Sequence, residues 1–386
     1  MDKKRAMGAL ALVGALASCA ASQPPQTSSP RPQPASHPHA SVFEEVGPGW
    51  TKLEDPPDAR TSAVSVWSGR QQSGRDLVYW SGESGSGTVT EADGFTWDPN
   101  TNAWSPMSDS PLEARAGSGA VFTGSEVVIW GGYGQWPQRL ADGAAYDPAT
   151  DTWRMLPPAP LAPASPVATV WTGEEVLVWG STERLASSTE GAAYNPATDE
   201  WRKLPDAPAP INEGTAVWTG QDPSKPQEMV IFGAQLNGNN NSKLDHAIGI
   251  AYNPKTNHWR ELPNVDLSPN ASAIAWTGDE IVAWDYGLTA AAYSPATNEW
   301  RELPRVPLDA YECYPTTEYI GGYVVAWYCG QAALFDIDRD KWTRIDTPRQ
   351  IVAGDPVVAG EILLFAGATH ETSHNGLWLY APPEKP

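Results

Sequence analysis

The stretch Tyr146-DPATDT-Trp153 decides the fold, because it recurs along the chain with one internal spacing. The other copies are Trp97-DPNTNA-Trp104, Tyr194-NPATDE-Trp201, Tyr252-NPKTNH-Trp259, Tyr293-SPATNE-Trp300 and Phe335-DIDRDK-Trp342. In each copy the two aromatics stand seven residues apart. Asp or Asn followed by Pro and then Thr is turn chemistry: the Asx side chain caps the turn and Pro presets its φ. Each copy therefore predicts a hairpin whose two strands each contribute an aromatic.

A second element alternates with the first. It is a short strand, a Gly-containing turn and a β-branched strand ending in an aromatic, as in GSGAVFTGSEVVIW130, PVATVWTGEEVLVW179 and SAIAWTGDEIVAW284. Seven such hairpins run from residue 61 to Phe365, and their alternation fits half-buried antiparallel strands. Together the two elements give four strands per unit at spacings of roughly 40 to 60 residues, the signature of a propeller blade. This pattern resembles the kelch repeat over nearly all of residues 50–380. The glycine doublet of that repeat survives only as Gly131-Gly132. The resemblance implies an all-β, seven-bladed kelch-type propeller over residues 49–386.

Ring closure follows from counting strands. The last unit has its third strand at Leu377–Tyr380 and then the chain ends, so its fourth is expected from Gly49-Trp50-Thr51-Lys52-Leu53. Pairing the N-terminal strand with the C-terminal blade removes the exposed edges of an open ring. The segment before it must then enter opposite the face that bears the inter-blade loops.

The N-terminus reads as an export signal over residues 1–18. Lys3, Lys4 and Arg5 precede a short apolar run from Ala6 to Ala17. Leu16-Ala17-Ser18-Cys19 resembles the lipobox of bacterial lipoproteins. That resemblance implies acylation at Cys19, a lipid bilayer as partner, and a bacterial cell-envelope, extracytoplasmic location. Residues 19–48 are rich in Pro, Ser and Gln and read as a disordered tether. His37 and His39 within it read as spacer. The net charge of -21 disfavours nucleic acid.

Cys313 and Cys329 flank Gly321-Gly322 symmetrically and are expected on the first two strands of unit six. In an oxidising compartment such a pair forms a disulfide; two buried thiols are the alternative. His370-Glu371-Thr372-Ser373-His374 satisfies HExxH, a zinc-peptidase spacing that needs a helix. Here it falls in an expected loop of about ten residues between Phe365 and Trp378, too short for that helix. His370 and His374 therefore stand as candidate loop ligands, with no metal and no cofactor assigned.

Arg60 and Arg115 share one register, nine residues before Gly69 and Gly124. Kelch domains often carry arginines there on the binding face, suited to a carboxylate or sulfate. Each could equally pair with a nearby Asp or Glu. Tyr133 and Trp136 lie in the loop GGYGQWPQRLADG and either stack on a sugar or pack beneath their own loop.

No P-loop, GxSxG elbow or CxxC is present. The reading is an envelope-anchored binding or scaffold module for a protein or glycan, acting through its loop face. The alternative is a carbohydrate-active propeller enzyme, since the resemblance extends to galactose oxidases and sialic acid mutarotases. The oxidase needs copper held by tyrosines and histidines near the axis, and His246 and His258 sit poorly for that. A purely structural envelope role is the third option.

Overall fold

The computed structural model describes residues 42–58, 60–69, 74–83, 92–135, 138–180, 188–235, 246–269, 272–309, 315–348, 356–369 and 372–385. They form seven four-stranded antiparallel sheets, each built of consecutive strands except the last. Blades 1 to 6 cover residues 64–106, 119–155, 168–203, 213–261, 272–303 and 316–345. Blade 7 joins β26 (Pro356–Ala359), β27 (Ile362–Thr369) and β28 (Thr372–Ala381) to β1 (Gly49–Lys52). The first strand of each blade touches the first strands of both neighbours, so these strands line the axis. Seven blades and an N-terminal latch are what the repeat implies.

The hairpins follow the predicted chemistry. Tyr146 lies directly across from Trp153, Tyr194 from Trp201, and Tyr252 from Trp259, with ring centroids 4.9, 5.1 and 5.0 Å apart. Trp50 of β1 faces Tyr380 in the same relation at 4.8 Å, so the latch reproduces the hairpin across the two ends of the chain. In the turn, the Asp147 carboxylate accepts from the Ala149 N–H. Asp151 then takes a left-handed φ of 56°, which Asp and Asn tolerate better than other non-glycine residues.

Second strands differ from expectation. The four residues Val127–Trp130 and the four residues Val176–Trp179 are buried throughout rather than alternately. A blade packs both faces against neighbours, so a middle strand has no wet side. Each seam between blades is one apolar cluster, such as Trp80, Val127, Ile129 and Tyr146 between blades 1 and 2.

A tryptophan closes every seam in one way. The indole N–H of each fourth-strand Trp donates to a carbonyl just past the fourth strand of the preceding blade. Examples are Trp201 to Pro157 (3.0 Å), Trp259 to Pro205 (2.8 Å) and Trp342 to Pro304 (2.8 Å). Trp50 does the same to Asp346 and Trp104 to Glu54, across the latch itself.

Two local expectations change. Within the stretch read as tether, α1 (Val42–Glu45) forms a helical turn, and Phe43 packs on Trp67 at 5.5 Å and Trp97 at 6.1 Å. Its apolar residues, among the few in that stretch, are what the propeller can bury. Residues 366–377, read as a loop, are largely hairpin: β27 and β28 pair through Ala366–Leu377 and Gly367–Gly376 to Thr369–Thr372. Strand pairing satisfies backbone groups that a loop would leave to solvent.

Candidate functional site

The candidate arginines are buried and already paired. Arg60 and Arg115 are only 3% and 1% exposed. Arg60 donates to the Asp93 carboxylate (2.7 Å), to Asp58 (3.3 Å) and to the carbonyl of Asp93 (3.0 Å). Arg115 repeats this one blade later, bonding the Asp142 carboxylate (3.2 Å) and the carbonyls of Gly131 (3.2 Å) and Asp142 (3.3 Å). Their shared register thus clamps the second-to-third-strand connection in blades 1 and 2. Of the two readings, pairing with a nearby acid is the one the geometry has.

Tyr133 is half-buried: its bridge partners are Ala116 and Arg139, the Arg139 guanidinium lies 5.2 Å from its ring centre, and its hydroxyl bonds Ser62 and Glu83 at the edge of blade 1. Burial, and then the charge of Glu83, push its phenol above the ordinary range. Trp136, His370, Cys313 and Cys19 lie outside the described residues. His374 belongs to β28, so its backbone is extended and takes no part in the helix HExxH requires. Cys329 lies one residue beyond β23 (Tyr323–Tyr328), in the left-handed turn to β24 (Gln331–Asp336), rather than on a strand. Among the described residues no three His, Cys, Asp or Glu side chains are grouped to hold a metal ion.

What the structure does bring together is a cavity of about 440 Å³ beside the axis. Its walls are the C-terminal ends of four first strands: β14 (Glu213–Trp218), β18 (Ser272–Trp276), β22 (Thr316–Ile320) and β26. Inter-blade loops meet the first strands at their other ends. The cavity therefore opens on the face of the tight hairpin turns, opposite the loop face favoured from sequence. Trp218, Trp276 and Tyr319 supply its aromatic surface, with Gln221, Thr277 and Glu318 as polar groups. Each of the three aromatics ends, or nearly ends, a first strand, so the repeat carried the signal; nothing in it marked which blades would gather around one cavity.

A second constellation also went unread. Arg154, Arg202, Arg260 and Arg301, each just after a fourth-strand Trp, bond a glutamate of their own blade: Glu126, Glu175, Glu228 and Glu280 at 2.7, 2.6, 2.6 and 2.8 Å. The first three also reach the next blade's Tyr194, Tyr252 and Tyr293 hydroxyls. These glutamates are what lift each guanidinium above its ordinary range. The recurring Trp-Arg and the Glu before each second strand would have revealed it.

Blade geometry and sequence agree on ancestry. A family model described as the KLHDC2/KLHL20/DRC7 Kelch-repeats domain matches residues 63–280, more than half of the 386-residue chain. Comparison with curated proteins finds no match. Kelch propellers are, in general, protein-binding scaffolds. With seven four-stranded blades and that match, the chain belongs to the kelch-repeat family.

Proposed function

We propose that the protein is an envelope-anchored lipoprotein, acylated at Cys19, whose propeller binds a protein or glycan ligand through its loop face. One observation carries the loop-face reading. The third-to-fourth-strand turns keep one spacing, whereas the second-to-third-strand connections range from two residues, Cys329 and Gly330, to the whole of residues 81–93 or 235–247. Loops that differ between blades on a rigid ring are where recognition is built. The polarity of β1 supports the orientation: its N-terminal end lies at the turn face, so an anchor preceding it would leave the loop face pointing away from the bilayer. The exported setting would go with a Cys313–Cys329 disulfide, a pairing that rests on the placement of the two cysteines about Gly321-Gly322 in an oxidising compartment.

The test uses the full chain in a bacterial host. Cys19→Ala should abolish fatty-acid labelling and release the protein from the membrane fraction. Retention of the unlabelled variant in that fraction would overturn the anchor. For the ligand, photocrosslinkers placed at Glu83 and at Gln135 should capture a partner that a crosslinker at Glu200, on an outer strand, does not. Equal capture at all three positions would remove the loop face from the proposal.

A further inference from the structure

We propose that the turn-face cavity is a second binding site, for a neutral pyranose sugar of the β-glucoside class. It lies on the other face from the loops and stands independently of the function proposed above.

Three consecutive blades each bring one ring to the cavity. Trp218 ends β14, Trp276 ends β18, and Tyr319 stands one residue before the end of β22. Blade 7 contributes Val358 in place of a fourth ring. The first strands are neighbours around the axis, so Trp276 is flanked by the other two. Each ring is half-buried: one part packs into an apolar cluster of the propeller, and the rest is left to the cavity. Rings held in this way offer contact area at a low ordering cost.

The polar groups beside the rings are neutral and uncommitted. Among the described residues, no hydrogen bond engages the Gln221 amide, the Tyr319 hydroxyl or the indole N–H of Trp218 or Trp276. The amide and the hydroxyl can each donate and accept, and an indole N–H donates only. Glu318 is the one charged residue among those lining the cavity, and it already has a partner, so no spare charge selects an ion. A ligand that matches this lining is uncharged, carries hydroxyls around its rim and turns apolar faces to the rings. A β-glucopyranoside does all three: its ring hydroxyls are equatorial and point outward, and its axial C–H bonds make both faces apolar. An acyclic polyol has the hydroxyls without the face. The volume of about 440 Å³ falls within the roughly 300–1,000 Å³ of small-molecule sites.

Calorimetry on the full chain decides it, with cellobiose as probe. The wild-type protein should bind with a Kd of about 1 mM or tighter, and salt should change this little because no charge is engaged. Sorbitol, which lacks a ring face, should bind at least about tenfold more weakly. Trp276→Ala should abolish binding. Gln221→Ala, at an exposed turn position, should weaken it about fivefold, the worth of one hydrogen bond. Trp171→Ala, at the end of the first strand of blade 3 and outside the cavity lining, should leave affinity unchanged. Tm confirms that each variant folds. Absence of binding by the folded wild-type protein at about 50 mM cellobiose overturns the proposal. So does equal binding of sorbitol, an unchanged affinity in Gln221→Ala, or equal losses in Trp171→Ala and Trp276→Ala. Tighter binding of glucosamine than of glucose also overturns it, since the site would then select a cation.

Discussion

The seams between blades 2 and 6 and the seams that flank the latch are joined by different means. All seven share the tryptophan clasp onto the preceding blade. The Arg–Glu ladder is present only in blades 2 to 5. Blade 1 has Ser105 in the arginine position and Asp76 in the glutamate position, and β1 has Thr51 after its Trp. Ring closure therefore rests on what every seam has: paired aromatics, one indole hydrogen bond and a buried apolar cluster. The ladder is an addition to uninterrupted blades, tying each fourth strand to the turn of the next.

The largest effect should come from the latch. Trp50 packs against Trp327, Phe365 and Tyr380 at 5.5, 5.3 and 4.8 Å. Trp50→Ala removes these contacts and frees the edge of β28, so a loss of about 3–5 kcal/mol is expected in denaturant unfolding. The same change at Trp201 leaves its strand covalently continuous with its blade and should cost less. Equal losses would show that the latch is no weaker than an uninterrupted blade.

Next in size is the ladder itself. Glu228 is only 7% exposed and pairs through two bonds with Arg260, at 3.0 and 2.6 Å. Arg260→Met should cost about 2–3 kcal/mol, because it strands a carboxylate held by charged hydrogen bonds. Arg301→Met should cost about 1 kcal/mol less, since the Glu280 carboxylate it strands is more exposed than Glu228 and keeps more of its hydration. Thermal unfolding of the two variants side by side would settle the difference.

How much of this the amino-acid pattern reveals depends on whether a feature repeats. Blade number, hairpin register and the role of Trp50 are all legible because Tyr146-DPATDT-Trp153 and its copies report them several times over. Arg60 and Arg115 were visible as a pair, but their partners Asp93 and Asp142 lie across a loop whose path no spacing fixes. The extent of β27 and β28 was hidden for another reason. Gly367, Asn375 and Gly376 carry turn chemistry, and the ladder between the two strands overrides that local preference. The cavity depends on which four blades converge, which is tertiary information.

Asp76 shows what a missing arginine does. Its carboxylate is fully buried and neither oxygen has a hydrogen-bond partner. Burial first, and the charge of Asp98 second, push it up to about 6 from an ordinary 3.8. The folded chain therefore keeps this proton up to about pH 6, whereas the unfolded chain releases it near pH 4. Between those values folding binds a proton, so stability falls as pH rises. At pH 7 the ionised group opposes folding by up to about 3 kcal/mol. Asp76→Asn should recover about 2 kcal/mol at pH 7 and nothing near pH 4, read from denaturation at both values. A gain independent of pH would mean that ionisation is not the cause.

The smallest effect tests whether the ladder can be transplanted. Ser105→Arg puts a guanidinium where blades 2 to 5 have one, in the blade that holds Asp76. Arg75 already bonds the Tyr146 hydroxyl of blade 2 at 3.2 Å and pairs with Asp151, doing the forward half of the task from a different strand position. If the two positions are complementary, Ser105→Arg should add about 1 kcal/mol at pH 7 and flatten the dependence between pH 4 and 6, because a paired Asp76 titrates lower. If Arg75 instead occupies the only space available, two guanidiniums would repel and the variant would be no more stable than the parent. The first outcome makes the ladder an independent module that blade 1 lacks. The second means that blade 1 has rebuilt it from Arg75, with Asp76 left behind as the unpaired remainder.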